Sequence, residues 1–245
     1  MKICIPTYNR FKINTLKILE EFDPKDIYIF INNYDPSEWD SVLLKYHKEN
    51  GSSYNYQLID TRGIPAARNF ILNFFDEGEK IVMLDDDIDQ ILGLDFNNLK
   101  KQLRPIESVK GFFEEAFSIC EKYGAKLWGI YPVANAFYMS PKMNNKGFII
   151  GTMFGVINNE LRFDENLKLK EDYDFTLQNI IKYKKVARFD WITIWADHYK
   201  RSGGCVEQRS ADNNLEKDCC DYILNKYPKY LRRNTKRENE VLISI

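Results

Sequence analysis

The chain has 245 residues, 44% of them hydrophobic and 29% charged, with a formal net charge of −1. That length carries one large α/β domain, or a domain with a small appendage, and either builds a full core. The charge balance excludes a uniformly basic nucleic-acid coat while leaving room for a local basic groove, and no run approaches the ~20 apolar residues of a transmembrane helix.

Residues 2–5 read as a first strand, ended by Pro6 in PTYNR. Residues 11–22 follow as a helix, with Ile13, Leu16 and Leu19 on its packing side. Residues 27–31 make a second strand, with Asn32, Asn33 and Asp35 in the loop behind it, and residues 36–46 are helical. A third strand at 54–59 runs into Asp60, Thr61, Arg62 and Gly63. In IPAARNFILNFF, Pro65 is pre-organised for a first helical turn, and Ala66, Phe70, Ile71 and Phe74 are spaced for one face. Residues 81–84 are an apolar run suited to a buried parallel strand. Strand and helix thus alternate from the start, a βαβ pattern that predicts an α/β fold with a mostly parallel central sheet covered on both faces.

Farther along, a helix is expected around 112–119 and a strand at 126–130. The apolar, Gly-punctuated stretch 148–157 suggests strands close to a ligand. A helix at 172–183, a strand at 184–189 and a late helix at 218–226 complete the reading, and Gly203-Gly204 marks a loop. Most of the 16 Phe, 15 Tyr and 4 Trp must be core. The cysteines, Cys4, Cys120, Cys205, Cys219 and Cys220, are odd in number and lack metal-ligand spacing, which suits a reducing compartment. MKICIPTYNR does not read as a signal peptide, so a cytoplasmic protein is expected.

Three constellations carry chemistry. Asp85, Asp86 and Asp87 follow the 81–84 strand, and carboxylates so close repel unless a cation neutralises part of the run. In open α/β sheets, ligands bind at the carboxyl ends of strands. Alternation along an extended segment places Asp85 and Asp87 on one side and Asp86 on the other. Two hard oxygens and phosphate contacts describe a Mg²⁺ or Mn²⁺ site on a diphosphate; the plainer reading is a solvated acidic turn. In KEDYDFTLQNI, Glu171, Asp172 and Asp174 lie at a helix start, where a carboxylate serves either as a cap or as a base for an incoming hydroxyl. In WADHYKRSGG, His198 has the chemistry to complete a carboxylate-rich metal site while Lys200 and Arg201 neutralise phosphate oxygens, the alternative being a surface turn.

Around the strand exits, Thr7, Tyr8, Asn9, Arg10, Asp60, Arg62 and Arg68 are candidates for contact with a nucleotide, with ordinary turns and solvent-facing arginines as the alternative. Neither G-x-G-x-x-G nor a Walker phosphate loop is present, which weakens a dinucleotide reading and argues against a Walker-type NTPase. Lys229, Arg232, Arg233, Lys236 and Arg237 form a local basic concentration near the C-terminus.

Taken in order, PTYNR, RGIPAARN at 62–69, the acidic run at 85–87, EDYD at 171–174 and His198 ahead of Lys-Arg resemble the GT-A-fold glycosyltransferases. The closer similarity is to the phage and eukaryotic group associated with modification of hydroxymethylated pyrimidines in DNA. The resemblance spans residues 1 to about 205 and implies a GT-A-like catalytic domain at 1–205, with 206–245 a helical and basic extension packed on it. It implies Mn²⁺ or Mg²⁺ on Asp85, Asp87 and His198, and Asp172 or Glu171 as the base. The donor is a nucleotide-diphosphate-sugar, UDP-glucose first, near Thr7, Tyr8, Asn9, Arg10, Asp60, Arg62, Arg68, Asp86, Lys200 and Arg201. The acceptor is a hydroxymethylated or already glucosylated pyrimidine in double-stranded DNA, reached through Lys229, Arg232, Arg233, Lys236 and Arg237, and transfer inverts the sugar. The compartment is then the cytoplasm, that of the host if the gene belongs to a phage, with no membrane partner. Three rivals stay open: a GT-A glycosyltransferase with a glycan or small-molecule acceptor, a metal-dependent nucleotidyltransferase, and a non-catalytic DNA-binding domain.

Overall fold

The computed structural model describes residues 1–95, 101–196 and 214–244. An eight-stranded sheet forms its centre, in the order β3 (Asn55–Ile59), β2 (Ile27–Asn32), β1 (Lys2–Tyr8), β4 (Lys80–Leu84), β9 (Met153–Ile157), β7 (Leu127–Ile130), β10 (Ala187–Phe189), β8 (Met143–Asn144). Only β9 and β8 run against the rest. This is the expected α/β fold with a mostly parallel sheet, consistent with a GT-A-like nucleotide-sugar transferase.

Side chains of a doubly covered strand must be apolar on both sides, and they divide between two cores with the period of two. Ile3, Ile5, Val82 and Leu84 join Phe113, Phe117 and Trp128 on one face, under α1 (Trp39–Asn50) and α3 (Val109–Tyr123). Cys4, Ile81 and Met83 join Ile71, Phe154 and Phe175 on the other, under α2 (Ile64–Phe74) and α4 (Glu171–Tyr183). Cys4, Cys120, Cys219 and Cys220 are all free and buried; Cys205 lies outside the described residues. A second sheet joins β5 (Ile88–Asp95), β6 (Gln102–Pro105) and β11 (Ile192–Ala196). Among the described residues, no helix is long and apolar enough to cross a membrane.

Three local expectations are corrected. Residues 11–22 do not form an α-helix; only a 3-10 turn, Asn14–Ile18, is present. Its donors are committed elsewhere: the amides of Asn14 and Thr15 reach the Asp86 carbonyl, and the Thr15 hydroxyl donates to the Asp85 carbonyl at 2.5 Å. Residues 148–152 are not strand either, because the Ile149 and Gly151 amides bond to Thr176 and Asp172 of α4. The C-terminal part is more than a helix with a basic end: α5 (Leu215–Lys226) is followed by a hairpin of β12 (Leu231–Arg233) and β13 (Val241–Ile243). Cys220, Ile223, Leu231 and Val241 pack with Leu177 of α4.

Candidate active site

Because β1, β3 and β4 are parallel, Tyr8, Asp60 and Asp85 emerge at one edge of the sheet. Strand β9 runs the other way and pairs Met153 with Leu84, so the residues preceding it reach the same edge. The Asp85 amide donates to the Thr152 carbonyl at 3.0 Å there.

The three aspartates separate differently from the strand alternation. The chain turns at Asp86 and Asp87, so the period of two no longer applies. The Asp86 carboxylate accepts from the Thr7 hydroxyl at 2.6 Å and from Arg10 at 2.6 Å; Asp87 accepts from Arg10 at 2.8 Å. Their side chains are 8% and 5% exposed, against 32% for Asp85. Asp86 and Asp87 therefore share a cation on the first-strand side, while Asp85 turns toward Arg68, 3.9 Å away. Burial raises the pKa of Asp86, with Thr7 and Arg10 opposing and Asp87 adding to the rise.

Arg68 is the hub. Buried in α2, it donates to Glu171 Oε1 at 2.8 Å and to the Gly151 carbonyl at 2.9 Å. Its guanidinium lies 5.6 Å and 5.4 Å from the ring centres of Phe154 and Phe163. Gly151 lets the arginine lie flat: a Cβ there would fall 2.3 Å from Arg68 Nη2. The neighbouring Asn69 accepts the Phe163 amide at 2.8 Å and donates to Glu165 at 2.8 Å, fixing the loop ahead of α4.

Helix α4 begins with Glu171 and Asp172, as the sequence suggests. Asp172 accepts from the Gly151 amide at 3.0 Å and from the Tyr173 amide at 2.8 Å. Lys170, not Asp172, is the capping residue; it lies in the left-handed region at φ 65° and makes no side-chain cap. A non-glycine there costs ~1–2 kcal/mol and marks a conformation imposed from outside. Burial, and then the Asp172 charge, push Glu171 up to about 7 against Arg68. Asp172 is also raised by burial, opposed first by Arg68, then by the two amides and Lys170. A carboxylate held near neutrality is poised to exchange a proton at physiological pH.

Beside this rim an open cleft of about 360 Å³ is lined by Asp60, Thr61, Arg62, Asn69 and Glu165, among others. Tyr8 and Tyr34 put their rings 5.2 Å apart, and Arg62 lies 5.3 Å from the Tyr34 ring centre. Both tyrosines are exposed, as a platform for a flat ring requires. Asn9 adopts φ 55° in the turn between Tyr8 and Arg10. Sequence reasoning missed Tyr34, although INNYD follows the second strand as PTYNR follows the first. It also missed Gly151, whose signal was only the glycine punctuation of its segment, and Lys170, which had none.

Other candidates sit apart. Trp128 is fully buried core, whereas Phe137 and Tyr138 are exposed. Lys229, Arg232, Arg233, Lys236 and Arg237 are all exposed, with Arg233 paired to Asp221. His198, Lys200 and Arg201 lie outside the described residues. Among the described residues no group of three or more His, Cys, Asp or Glu side chains is arranged to hold a metal ion. Two of the proposed ligands lie on different arginines, so the described donors do not by themselves compose the metal centre.

A model of the TET-associated glycosyltransferase family matches residues 1–204. The chain belongs to that family. No curated protein matches it. Among solved structures, S. aureus TarS (residues 1–349) is similar at 15% identity and a TM-score of 0.48, over 92% of this chain and 66% of that one. A mannosyltransferase from Pyrobaculum calidifontis, in complex with GDP-Man and Mn²⁺, gives 15% and 0.48 over 76% and 55%. HddC from Yersinia pseudotuberculosis gives 12% and 0.45 over 90% and 99%. The chain thus spans just under two thirds of TarS and about half of the mannosyltransferase. At these scores the likenesses carry no argument about donor, metal or acceptor. By its description the family is one of glycosyltransferases, and the match itself specifies neither donor nor acceptor.

Proposed function

We propose that this family member transfers a sugar from a nucleotide-diphosphate-sugar, UDP-glucose first, to an acceptor hydroxyl. The observation supporting this is the buried Arg68, which gathers the half-buried Asp85 and the Glu171–Asp172 pair at one rim of the sheet, beside the cleft at Asp60. The nucleotide lies over the exits of β1 and β3, against Tyr8, Tyr34 and Arg62. Asp172, ionised, takes the acceptor's proton, with Glu171 as the alternative base. The acceptor oxygen bonds to the anomeric carbon as the bond to the diphosphate breaks, and the configuration inverts. Lys200 and Arg201 neutralise the departing diphosphate.

A divalent cation, Mn²⁺ or Mg²⁺, would supply charge stabilisation at the diphosphate. Asp85 is its first ligand in this reading because its carboxylate is the most exposed of the three. Asp87 is held at Arg10, and His198 remains a proposed partner. Calorimetry with a panel of nucleotides, in Mn²⁺ and in chelator, tests donor and metal together. UDP is expected to bind best and to need the metal; equal affinity in chelator would remove the metal from the proposal.

Two acceptor classes fit. A glycan or small-molecule hydroxyl comes first, since it asks nothing of the protein beyond the pocket. A hydroxymethylated pyrimidine in double-stranded DNA, or one already glucosylated, rests on the sequence resemblance and on the exposed cations Lys229, Arg232, Arg233, Lys236 and Arg237. Incubation with UDP-glucose and either a glycan panel or DNA containing cytosine, hydroxymethylcytosine, hydroxymethyluracil or glucosylated hydroxymethylcytosine decides between them by product mass. Release of pyrophosphate in place of UDP would instead favour a nucleotidyltransferase, and no nucleotide binding at all would favour a non-catalytic DNA-binding domain.

A further inference from the structure

The first turn of α4 faces two ways. One side carries Glu171 and Asp172 into the rim; the other is gripped by the C-terminal segment at two places. Asp174, fully buried, meets Lys226 Nζ at 2.7 Å and the Tyr227 hydroxyl at 2.8 Å. Glu240, between β12 and β13, lies 3.6 Å from Lys170 Nζ through one oxygen and 3.4 Å from the Tyr173 hydroxyl through the other. The Lys170 side chain is only 7% exposed and passes 5.3 Å from the Tyr173 ring centre, while that ring stacks on Phe148 at 4.0 Å. Asn239, just ahead of Glu240, shares the left-handed conformation of Lys170, at φ 55°.

Nothing in α4 itself accounts for the backbone at Lys170, which no side-chain cap stabilises. The lysine is drawn back across the first turn to a carboxylate on a separate hairpin. That turn sets the direction in which Glu171 and Asp172 leave the chain, and the Lys170 carbonyl accepts the Asp174 amide at 3.1 Å. We infer that Glu240 of the C-terminal hairpin is a positioning residue: through Lys170 and Tyr173 it holds the left-handed turn that aims Asp172 at the acceptor hydroxyl. The inference rests on the glycosyltransferase reading for its catalytic part. The extension then completes the site from behind, touching no substrate. Lys170 also contributes charge that favours ionised Asp172.

The experiment uses the full chain, with UDP-glucose as donor and UDP release as the rate. Glu240→Gln is expected to lower turnover at least tenfold while the Kd for UDP stays within twofold, because the residues lining the donor cleft belong neither to α4 nor to the hairpin. Amide exchange at residues 174–176 should quicken at least tenfold. Tyr173→Phe, which keeps the stacked ring, should move both readouts the same way but less, and serves if Glu240→Gln does not fold. Unchanged exchange in both single variants overturns the latch. Faster exchange with unchanged turnover overturns its role in positioning. A wild-type chain that neither binds UDP nor releases it sinks the transferase reading, and the catalytic part of this inference with it, while the exchange result still decides the latch.

Discussion

Gly151 faces Arg68 with no side chain between them, and both of its backbone groups are used: the amide on Asp172, the carbonyl on Arg68. Gly151→Ala drives a methyl group into the guanidinium, which must leave Glu171. Breaking a buried pair in this way costs about 3 kcal/mol; a urea midpoint equal to wild type would show that Arg68 can yield without loss. Glu171 makes a separate prediction through pH. Its pKa is about 7 when folded and near the ordinary 4.5 when unfolded, so the native state holds more protons between those values. Stability is fullest below pH 4.5 and falls as pH rises through 7, by on the order of 3 kcal/mol. Glu171→Gln should flatten that decline, read as urea midpoints at pH 5 and pH 8. Asp164 acts in a different window: its depressed value of about 2 makes its contribution vanish only as pH falls below 4. If Asp172 is the base, turnover rises with pH through its elevated pKa, and Asp172→Asn abolishes transfer while sparing UDP binding.

At the scale of elements, the acidic turn between β4 and β5 is braced by the chain's first residues after β1. Arg10→Met would take from Asp86 and Asp87, both nearly buried, the guanidinium they share. A loss of about 3 kcal/mol at pH 7 is expected, narrowing at acid pH as Asp86, whose pKa burial raises, takes up a proton. The same contact explains why the aspartates were only partly legible beforehand. Their place at a strand exit follows from the apolar run 81–84 and the βαβ alternation. Their orientation does not, because it depends on Thr7 and Arg10, more than 70 residues away in sequence. The failed helix at 11–22 has the same cause: apolar spacing suggested a face, but the amides of Asn14 and Thr15 serve the acidic turn. The start of α4 was readable from a cluster of acids at a helix beginning, whereas Arg68 looks in sequence like a solvent-facing helix residue. Its burial follows from Phe154, Phe163 and Gly151, which no local pattern connects to it. The strands β12 and β13 were missed because three-residue segments are too short to show alternation.

For the whole molecule, the open question is which surface the acceptor approaches. Arg233 is held by Asp221, so the cations available to a polyanion are Lys229, Arg232, Lys236 and Arg237. If DNA is the acceptor, neutralising Arg232, Lys236 and Arg237 should weaken binding across sequences and reduce the salt slope by about 0.9 for each phosphate left without its cation. An unchanged slope in a titration from low to moderate salt would send the DNA surface elsewhere and leave the tail to its structural role against α4.

The reversed strand β9 also bears on how the site comes into being. Arg68 and Glu171 are 103 positions apart, Arg68 and Gly151 83, and the two contacts meet only once β9 has inserted between β4 and β7. Strands β1, β2 and β3 pair between nearer neighbours, so they carry less loop-closure entropy. Refolding should therefore regain secondary structure before it regains the capacity to bind UDP, with an interval set by the seating of one strand.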